Sequence, residues 1–495
     1  MGEISEKKSY RQIFKATTIF GGVQIISVLI NLLKSKIIAI FLGPEGMGIF
    51  YLLQNPIKLI SQVSGLGINI SGIREVSKST NEHDIDEQTK SIITVRRWTR
   101  VSGLIGTVLT IILSSSLSKW SFGNTDYTWS FCLLSVVVLL TALGNENDVI
   151  LKGTRQINNI ARAGIYSAAS SLAVTFPLYY FFKLQGIIPV LISTALFVYV
   201  FNRNYSRKVP LGRASLSYTE TFQRGKKMAS LGIMLVIAGF AETLAMYLVN
   251  IFIRNAGNIE DVGLFQAGMQ ITNVSISLVY TAMAGDYFPR LSAICHRTGE
   301  MNKLVNQQAV IAALISTPIL MMMITFVSLL IQVFLSKSFL PVSNFIHWIL
   351  LAAVFRASTW TIHYIILAKG DSKLFLKLVL LTNSLQLMFY IGGYKVYGLM
   401  GLGLGYLVTM TSNAAFMYYI IHRKYHFSFK REFIQLLTFG FIMTAMCIIS
   451  GFVFNDLYKY ITNSFIIVIT IIISIRKLNQ KIDLLDILKQ YKKNK

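Results

Sequence analysis

Charge is scarce in this chain, and negative charge is scarcest. Of 495 residues 14% are charged, with 22 acids against 47 lysines and arginines. A soluble domain carries about a quarter of its residues charged, so a water-facing globular protein of this length is excluded. Cysteine is nearly absent. Cys132, Cys295 and Cys447 are odd in number and far apart, which leaves neither a disulfide framework nor a thiolate metal site. Catalytic constellations are missing too. There is no serine elbow, no phosphate-binding glycine loop, no His/Cys cluster and no pair of acids on an exposed loop. No link between apolar stretches is long enough to house a catalytic domain. Neither an enzyme nor a metal- or cofactor-binding protein is expected.

What fills the chain is apolar, 53% of it. Blocks of about 20 apolar residues recur from end to end, each long enough to cross a hydrocarbon core of roughly 30 Å. They are too long for barrel strands, and only helices or closed barrels satisfy the backbone in lipid. The fold class is therefore an all-α membrane protein with about fourteen transmembrane helices. The spans are predicted at 14–41, 47–72, 101–118, 129–150, 161–182, 184–202, 228–254, 263–288, 305–335, 343–367, 374–394, 399–421, 434–454 and 460–475. Lys7, Lys8, Arg11 and Lys15 precede the first run as in a signal peptide. That run is too long and lacks a cleavage site, so it reads as an uncleaved first span.

The surplus of 25 positive charges invites a nucleic-acid partner, and its distribution rejects one. Of the 47 cations, 37 lie in the N-terminus, in alternate loops and in the tail, while the opposite loops hold six. Both termini are thereby expected in the cytoplasm. The tail, 476–495, spaces Leu478, Ile482, Leu485 and Leu488 helically among lysines, as an amphipathic helix on an anionic leaflet would.

The chain repeats itself weakly. Glu45-x-x-Gly48-x-Phe50 recurs as Glu260-x-x-Gly263-x-Phe265 at an offset of 215 in the numbering, and Gly186 matches Gly401 at the same offset. Arg74 matches Arg290 at 216, and Lys152-Gly153 matches Lys369-Gly370 at 217. A six-span unit preserves orientation, so two parallel six-helix lobes around a central cavity are expected, a transporter arrangement. The predicted organisation is an N-terminal lobe (1–205), a cytoplasmic linker (206–227), a C-terminal lobe (228–425), an additional helix pair (426–475) and the tail (476–495).

Four cations remain inside spans: Lys34, Lys36, Lys58 and Arg356. Each costs roughly 2.5–3.5 kcal/mol on insertion scales at mid-membrane and needs a partner, a wet cavity or a task. Gln54, Lys58, Gln62, Gly65 and Asn69 share one helical face, and Gln266, Gln270, Asn273 and Ser277 do the same in the eighth span. Under the 215 offset Lys58 falls on Asn273, so the stripes are repeat-related and are expected to line a cavity. Interhelical hydrogen bonding is the plainer alternative for the amides. Arg356, with Thr359 and His363 on its face, is either a counter-site for an anionic substrate or the ion-pair partner of Glu242. Glu242 is the single acid near mid-span, and it and His363 are the candidates for ion coupling. Lys34 and Lys36 have the alternative of snorkelling to an interface. Glu146 and Asp148 are expected to meet Lys152 and Arg155. Pro56, Pro177, Pro189, Pro318, Gly65 and Gly67 are expected to bend or break their helices.

The run Lys36-IIAIFLGPEGMGIF, above all Leu42-Gly43-Pro44-Glu45-Gly46-x-Gly48, together with fourteen spans, six-helix halves and Lys152-Gly153 before the fifth span, resembles the bacterial polysaccharide transporter family. These Wzx-type flippases of lipid-linked oligosaccharides share a superfamily with multidrug/toxin antiporters and the peptidoglycan lipid flippase. The resemblance covers about residues 10–425. It implies translocation of an undecaprenyl diphosphate-linked O-antigen or capsule unit across the bacterial cytoplasmic membrane. Membrane lipids, a glycan polymerase and assembly proteins are the implied partners. It also implies a basic cavity, carried onto Lys36, Lys58 and Arg356. A drug antiporter would need acids in spans 1–3, which hold none in their interior. A lipid II flippase is the nearer rival.

Overall fold

A chain that must satisfy every backbone group without water becomes helical. The structure, a computed structural model, holds no strand among its described residues. These are residue 26 and residues 28–81, 84–453 and 455–482. The basic N-terminal run and the greater part of the predicted tail helix, with Leu485 and Leu488, lie outside them.

Contacts divide the chain into two compact units, one reaching from the N-terminus to Leu264 with Phe334–Ser336, the other formed by Phe265–Val333 and the chain from Lys337 on. In the first unit, residues 28–41 are helical and lead into α1 (Gly43–Ser64). A turn over 65–67, with Leu66 at φ +49° and Gly67 at φ +69°, separates α1 from α2 (Ile68–Asn81). The predicted second span is thus two helices, broken at its two glycines. Then come α3 (Ile85–Phe122), α4 (Thr128–Gly153), α5 (Ile157–Phe182), a 3-10 turn (Lys183–Gly186), α6 (Ile187–Ser206) and α7 (Tyr218–Ala256). Helix α3 lies along α4, α4 along α6, and α7 against α1, α2 and α3.

That last packing moves the boundary. By sequence repeat α7 opens the second half, whereas by contact it sits with the first. The described residues of 73–100 are helical but for Asp84. The irregular stretch before α7 is fastened to the start of α3. Gly212 N donates to Thr89 Oγ1 (2.8 Å), Arg97 Nη1 donates to Leu216 O (2.9 Å) and Thr221 Oγ1 (2.8 Å), and Trp98 Nε1 donates to Thr221 O (2.9 Å). Arg224 pairs with Glu87, and Ser217 with Glu220 forms a capping box that starts α7.

In the second unit α8 (Ile259–Ile294, assigned here from Phe265), α9 (Thr298–Thr325) and α10 (Val327–Phe334) precede a helix pair, α11 (Ser343–Ala353) and α12 (Arg356–Ala368). With the short turn before it this pair is bent by 53°. Next comes α13 (Ser372–Tyr425), whose ladder fails at Tyr397 and Gly398. Helices α14 (Arg431–Val453) and α15 (Asp456–Ile482) both pack on α9. The unit's core runs through Tyr287, Leu291, Met301, Ile362, Ile366 and Phe427.

Eight described helices, or nine with the bent pair, are long and apolar enough to cross a membrane. The chain is a multi-pass membrane protein. Two of the eight stretches, Ile157–Ser206 and Ser372–Tyr425, contain reversals and so take up two predicted spans each. The predicted spans 2 and 8 are not among the eight, the bent pair takes up the tenth, and much of the first lies outside the described residues.

The repeat is written in the turns. Lys183 (φ 45°, ψ −125°) corresponds at the 215 offset to Gly398 (φ 56°, ψ −138°). Three positions on, a Cβ on Gly186 would lie 2.6 Å from Leu178 O, and one on Gly401 would lie 1.8 Å from Gly393 O, the same contact at the same offset. Both sites need a glycine because two backbones nearly touch. The turn after α4 is copied as well. Thr154 N→Ile150 O, Arg155 N→Lys152 O and Gln156 N→Leu151 O reappear as Lys369 N→Ile365 O, Gly370 N→Leu367 O and Asp371 N→Ile366 O. Lys369 therefore answers Thr154. The Lys152-Gly153 match at 217 is two positions out of register, since repeated letters are weaker markers than repeated hydrogen bonds.

Candidate functional site

Helix α1 shows why its polar stripe matters. Leu52, Leu53, Ile57, Leu59 and Ile60 are buried against the unit. The opposite face carries Gln54 and Gln62, part-buried, with Lys58 between them exposed. Elsewhere, open faces of spans are greasy: α3 presents Leu104, Ile105, Val108 and Ile112, as lipid requires. Among the large apolar side chains of α1, Val63 alone is exposed. The open face of α1 is thus polar where those of the candidate spans are greasy.

Gln62 is tied down. Its Oε1 accepts from Thr243 Oγ1 on α7 (3.0 Å), and its amide lies where a Cβ on Gly239 would be 2.3 Å away. Lys58, one turn before it, has no ion-pair partner among the described residues; ion pairs of this unit include Arg96 and Arg100 with Glu146, Lys152 with Asp148, and Arg224 with Glu87. Glu242, next to Thr243, is exposed and outside those pairs. Lys36 is part-buried on the helix before α1 and does have an interaction partner.

In the second unit Gln266 is buried, Gln270 part-buried and Asn273 exposed on α8. Gln266, Gln270 and Ser277 all take part in interactions. Asn273 is the repeat mate of Lys58, and both stand open to solvent. Arg356 begins α12 at the bend, its guanidinium 5.6 Å from the Tyr280 ring centroid and within electrostatic reach of Tyr406. Thr359 turns back to the carbonyls of Phe355 and Arg356 (3.4 Å), and His363 packs edge-on against Phe375 at 5.0 Å. His363 and Thr359 thus do not join Arg356 in one cluster. A tyrosine face returns about 0.5–2 kcal/mol to a guanidinium, less than the roughly 2.5–3.5 kcal/mol cost of a mid-membrane cation. The remainder calls for water or an anion. Tyr280 and Tyr406 escape a reading of the sequence because an aromatic among apolar residues carries no positional signal.

The expected Lys152–Asp148 pair forms at 2.6 Å, and Arg290 pairs with Asp286 at 3.0 Å. Glu146 does not meet Lys152 or Arg155. It is 3% exposed and pairs with Arg100 (3.2 Å) and Arg96 (3.5 Å) on α3, because a carboxylate one helical turn deeper must take a partner from a neighbouring helix. No group of His, Cys, Asp and Glu among the described residues is arranged to hold a metal.

The family model described as "Polysaccharide biosynthesis protein" matches residues 37–344, more than half of the chain and both polar stripes. The chain belongs to that family. Within the polysaccharide biosynthesis family's wider kin, it is 19% identical over 390 residues to the lipid III flippase of Escherichia coli K12, covering 77% of this chain and 91% of that one. Its fold is similar to that of the lipid II flippase MurJ in an inward closed conformation, with a TM-score of 0.72, 14% identity, and coverage of 95% of this chain and 99% of that one. It is also similar to an inward-facing multidrug resistance MATE transporter of the MOP superfamily (TM-score 0.67, 14% identity, 83% and 98% covered).

Proposed function

We propose that this protein is a flippase that carries an undecaprenyl diphosphate-linked oligosaccharide, an O-antigen or capsule repeat unit, across the bacterial cytoplasmic membrane by alternating access. The observation that carries the proposal is Lys58: an exposed ammonium, without an ion-pair partner among the described residues, on the polar face of α1, in a family of polysaccharide biosynthesis proteins. Arg356, only part-compensated by Tyr280, is the second cation, and Lys36 the third. Gln54, Gln62, Gln270 and Asn273 are the polar groups assigned to the head and its first sugars. A diphosphate is the anion such groups hold best. Its outward movement is favoured by an inside-negative potential by about 2.3 kcal/mol per charge per 100 mV. Both termini are assigned to the cytoplasm by the loop cations, and Glu242 and His363 are the groups assigned to ion coupling.

Membranes of a strain deleted for the protein supply the test. Lys58→Ala and Arg356→Ala should each abolish surface glycan at normal protein levels, with Lys58→Arg restoring much of it. Full surface glycan in the double variant would refute the assignment. Rescue of a strain depleted of its peptidoglycan precursor flippase, without any effect on surface glycan, would point to lipid II instead.

A further inference from the structure

The first unit holds a cavity of about 490 Å³ where α3, α4 and α6 end, lined by Arg96, Arg100, Arg203 and Arg207 around the single carboxylate of Glu146. Glu146 is consumed by Arg96 and Arg100. Arg203 feels Glu146 at longer range and leans on the Tyr199 ring at 5.5 Å, and neither it nor Arg207 forms an ion pair among the described residues. The buried Nε of Arg96 meets Glu146 only at 3.5 Å and makes no hydrogen bond. Four guanidinium groups against one carboxylate leave a surplus of three positive charges in one cavity. Such a surplus is repulsive and persists where an anion neutralises it.

The rest of the lining says which kind of anion. Leu143, Tyr199, Val209 and Leu211 share the cavity with the arginines, and Leu211 is 44% exposed at its edge. A free inorganic anion has no use for that apolar rim, whereas an amphiphile uses both halves. The floor is firm: Asn147 and Ser206 are buried and joined by a 2.5 Å hydrogen bond, and Asn202 Nδ2 donates to Gly144 O. We infer that this cavity is a binding site for the phosphate of an anionic membrane phospholipid, its acyl chains leaving along Leu211 and Tyr199. The site is separate from the Lys58 stripe on α1. It goes beyond the translocation reading and takes from it only the orientation, which puts this arginine-rich end at the cytoplasmic leaflet.

The test uses the full chain purified in detergent and observed by native mass spectrometry with added phosphatidylglycerol, phosphatidylcholine, undecaprenyl phosphate or inorganic phosphate. The wild type should retain phosphatidylglycerol over phosphatidylcholine. Arg207→Gln, a change at an exposed residue, should weaken retention about tenfold, the loss of one charge-assisted contact, and Arg203→Gln/Arg207→Gln should abolish it. Lys58→Ala should retain phosphatidylglycerol normally while failing in translocation, which separates the failure of one reading from that of the other. Arginine-dependent binding of undecaprenyl phosphate in preference to phosphatidylglycerol would keep a lipid-borne phosphate and make the carrier its source. Equal retention by wild type and both arginine variants, or full displacement of the lipid by inorganic phosphate, would overturn the proposal.

Discussion

Gly48 and Gly263 offer a sharp test of how α1 and α8 meet. Both lie in the first unit, where the start of α8 crosses the start of α1. A Cβ on Gly48 would stand 2.1 Å from Ile259 O, and a Cβ on Gly263 would stand 1.8 Å from Pro44 O. Pro44 and Ile259 are themselves repeat mates at the 215 offset, so the crossing is a symmetric exchange in which each glycine seats the other helix's carbonyl. Ordinary contact begins at 3.4 Å, so either alanine pushes the crossing apart by more than 1 Å, and no flexible side chain is there to yield. Overpacking of this kind costs about 1–3 kcal/mol. If the crossing closes in one state of the protein and opens in another, that cost falls on the closed state alone and shifts the population roughly 5- to 150-fold. The assay is a double-mutant cycle on melting temperature. Gly48→Ala and Gly263→Ala should each destabilise the closed form. Together they should cost less than the sum of the two, since the first has already opened the gap the second needs. Strict additivity, or no effect from either, would refute the reasoning.

Arg155 holds φ +55°, where its repeat mate is Gly370 at φ +69°; Arg155→Gly should raise stability by about 1 kcal/mol, read as a higher melting temperature, and Gly370→Arg should lower it. Glu146→Ala strands Arg96 and Arg100 and should cost about 1–3 kcal/mol, with Glu146→Gln milder, both measured by thermal melting. Trp98→Ala removes the bond to Thr221 O and the stack on Phe222; it should expose Arg213 to limited trypsin digestion, and unchanged cleavage would count against the fastened link. The Asp371 carboxyl, with Lys424 and Tyr425 donating to it, is held down at about 2. Its stabilising share is therefore full above the unfolded carboxylate range near 4 and fades as pH falls through about 2. Asp371→Asn should lower the melting temperature by a constant amount from pH 5 to 8, with the gap closing in strong acid.

Spans can be read in the sequence because burial in lipid leaves a run of letters that nothing soluble imitates. The polar stripe of α1 is legible for the same reason, Lys58 being a costly letter in such a run. The placement of α7 is not, since its apolar surface fits either neighbour and only packing chooses. Nor is the environment of Arg356: its numbered neighbours Thr359 and His363 look inviting, yet Thr359 bonds its own backbone and His363 meets Phe375. The arginines around Glu146 count, in the sequence, as loop charges marking a membrane side. That counting rule records how many cations lie at an end of the helices and is blind to which of them gather in one hollow.

The matched turns bear on ancestry. Two reversals keep their hydrogen bonds or dihedrals at the single offset of 215, although the letters around them have mostly diverged. A tandem duplication would leave that pattern, corners alike and sides dissimilar. Lys183 and Arg155 now occupy corners where the other copy has Gly398 and Gly370. Each bears a small cost in backbone strain that the glycine of the other copy does not, so the two copies of each corner differ in what they spend to make the same turn.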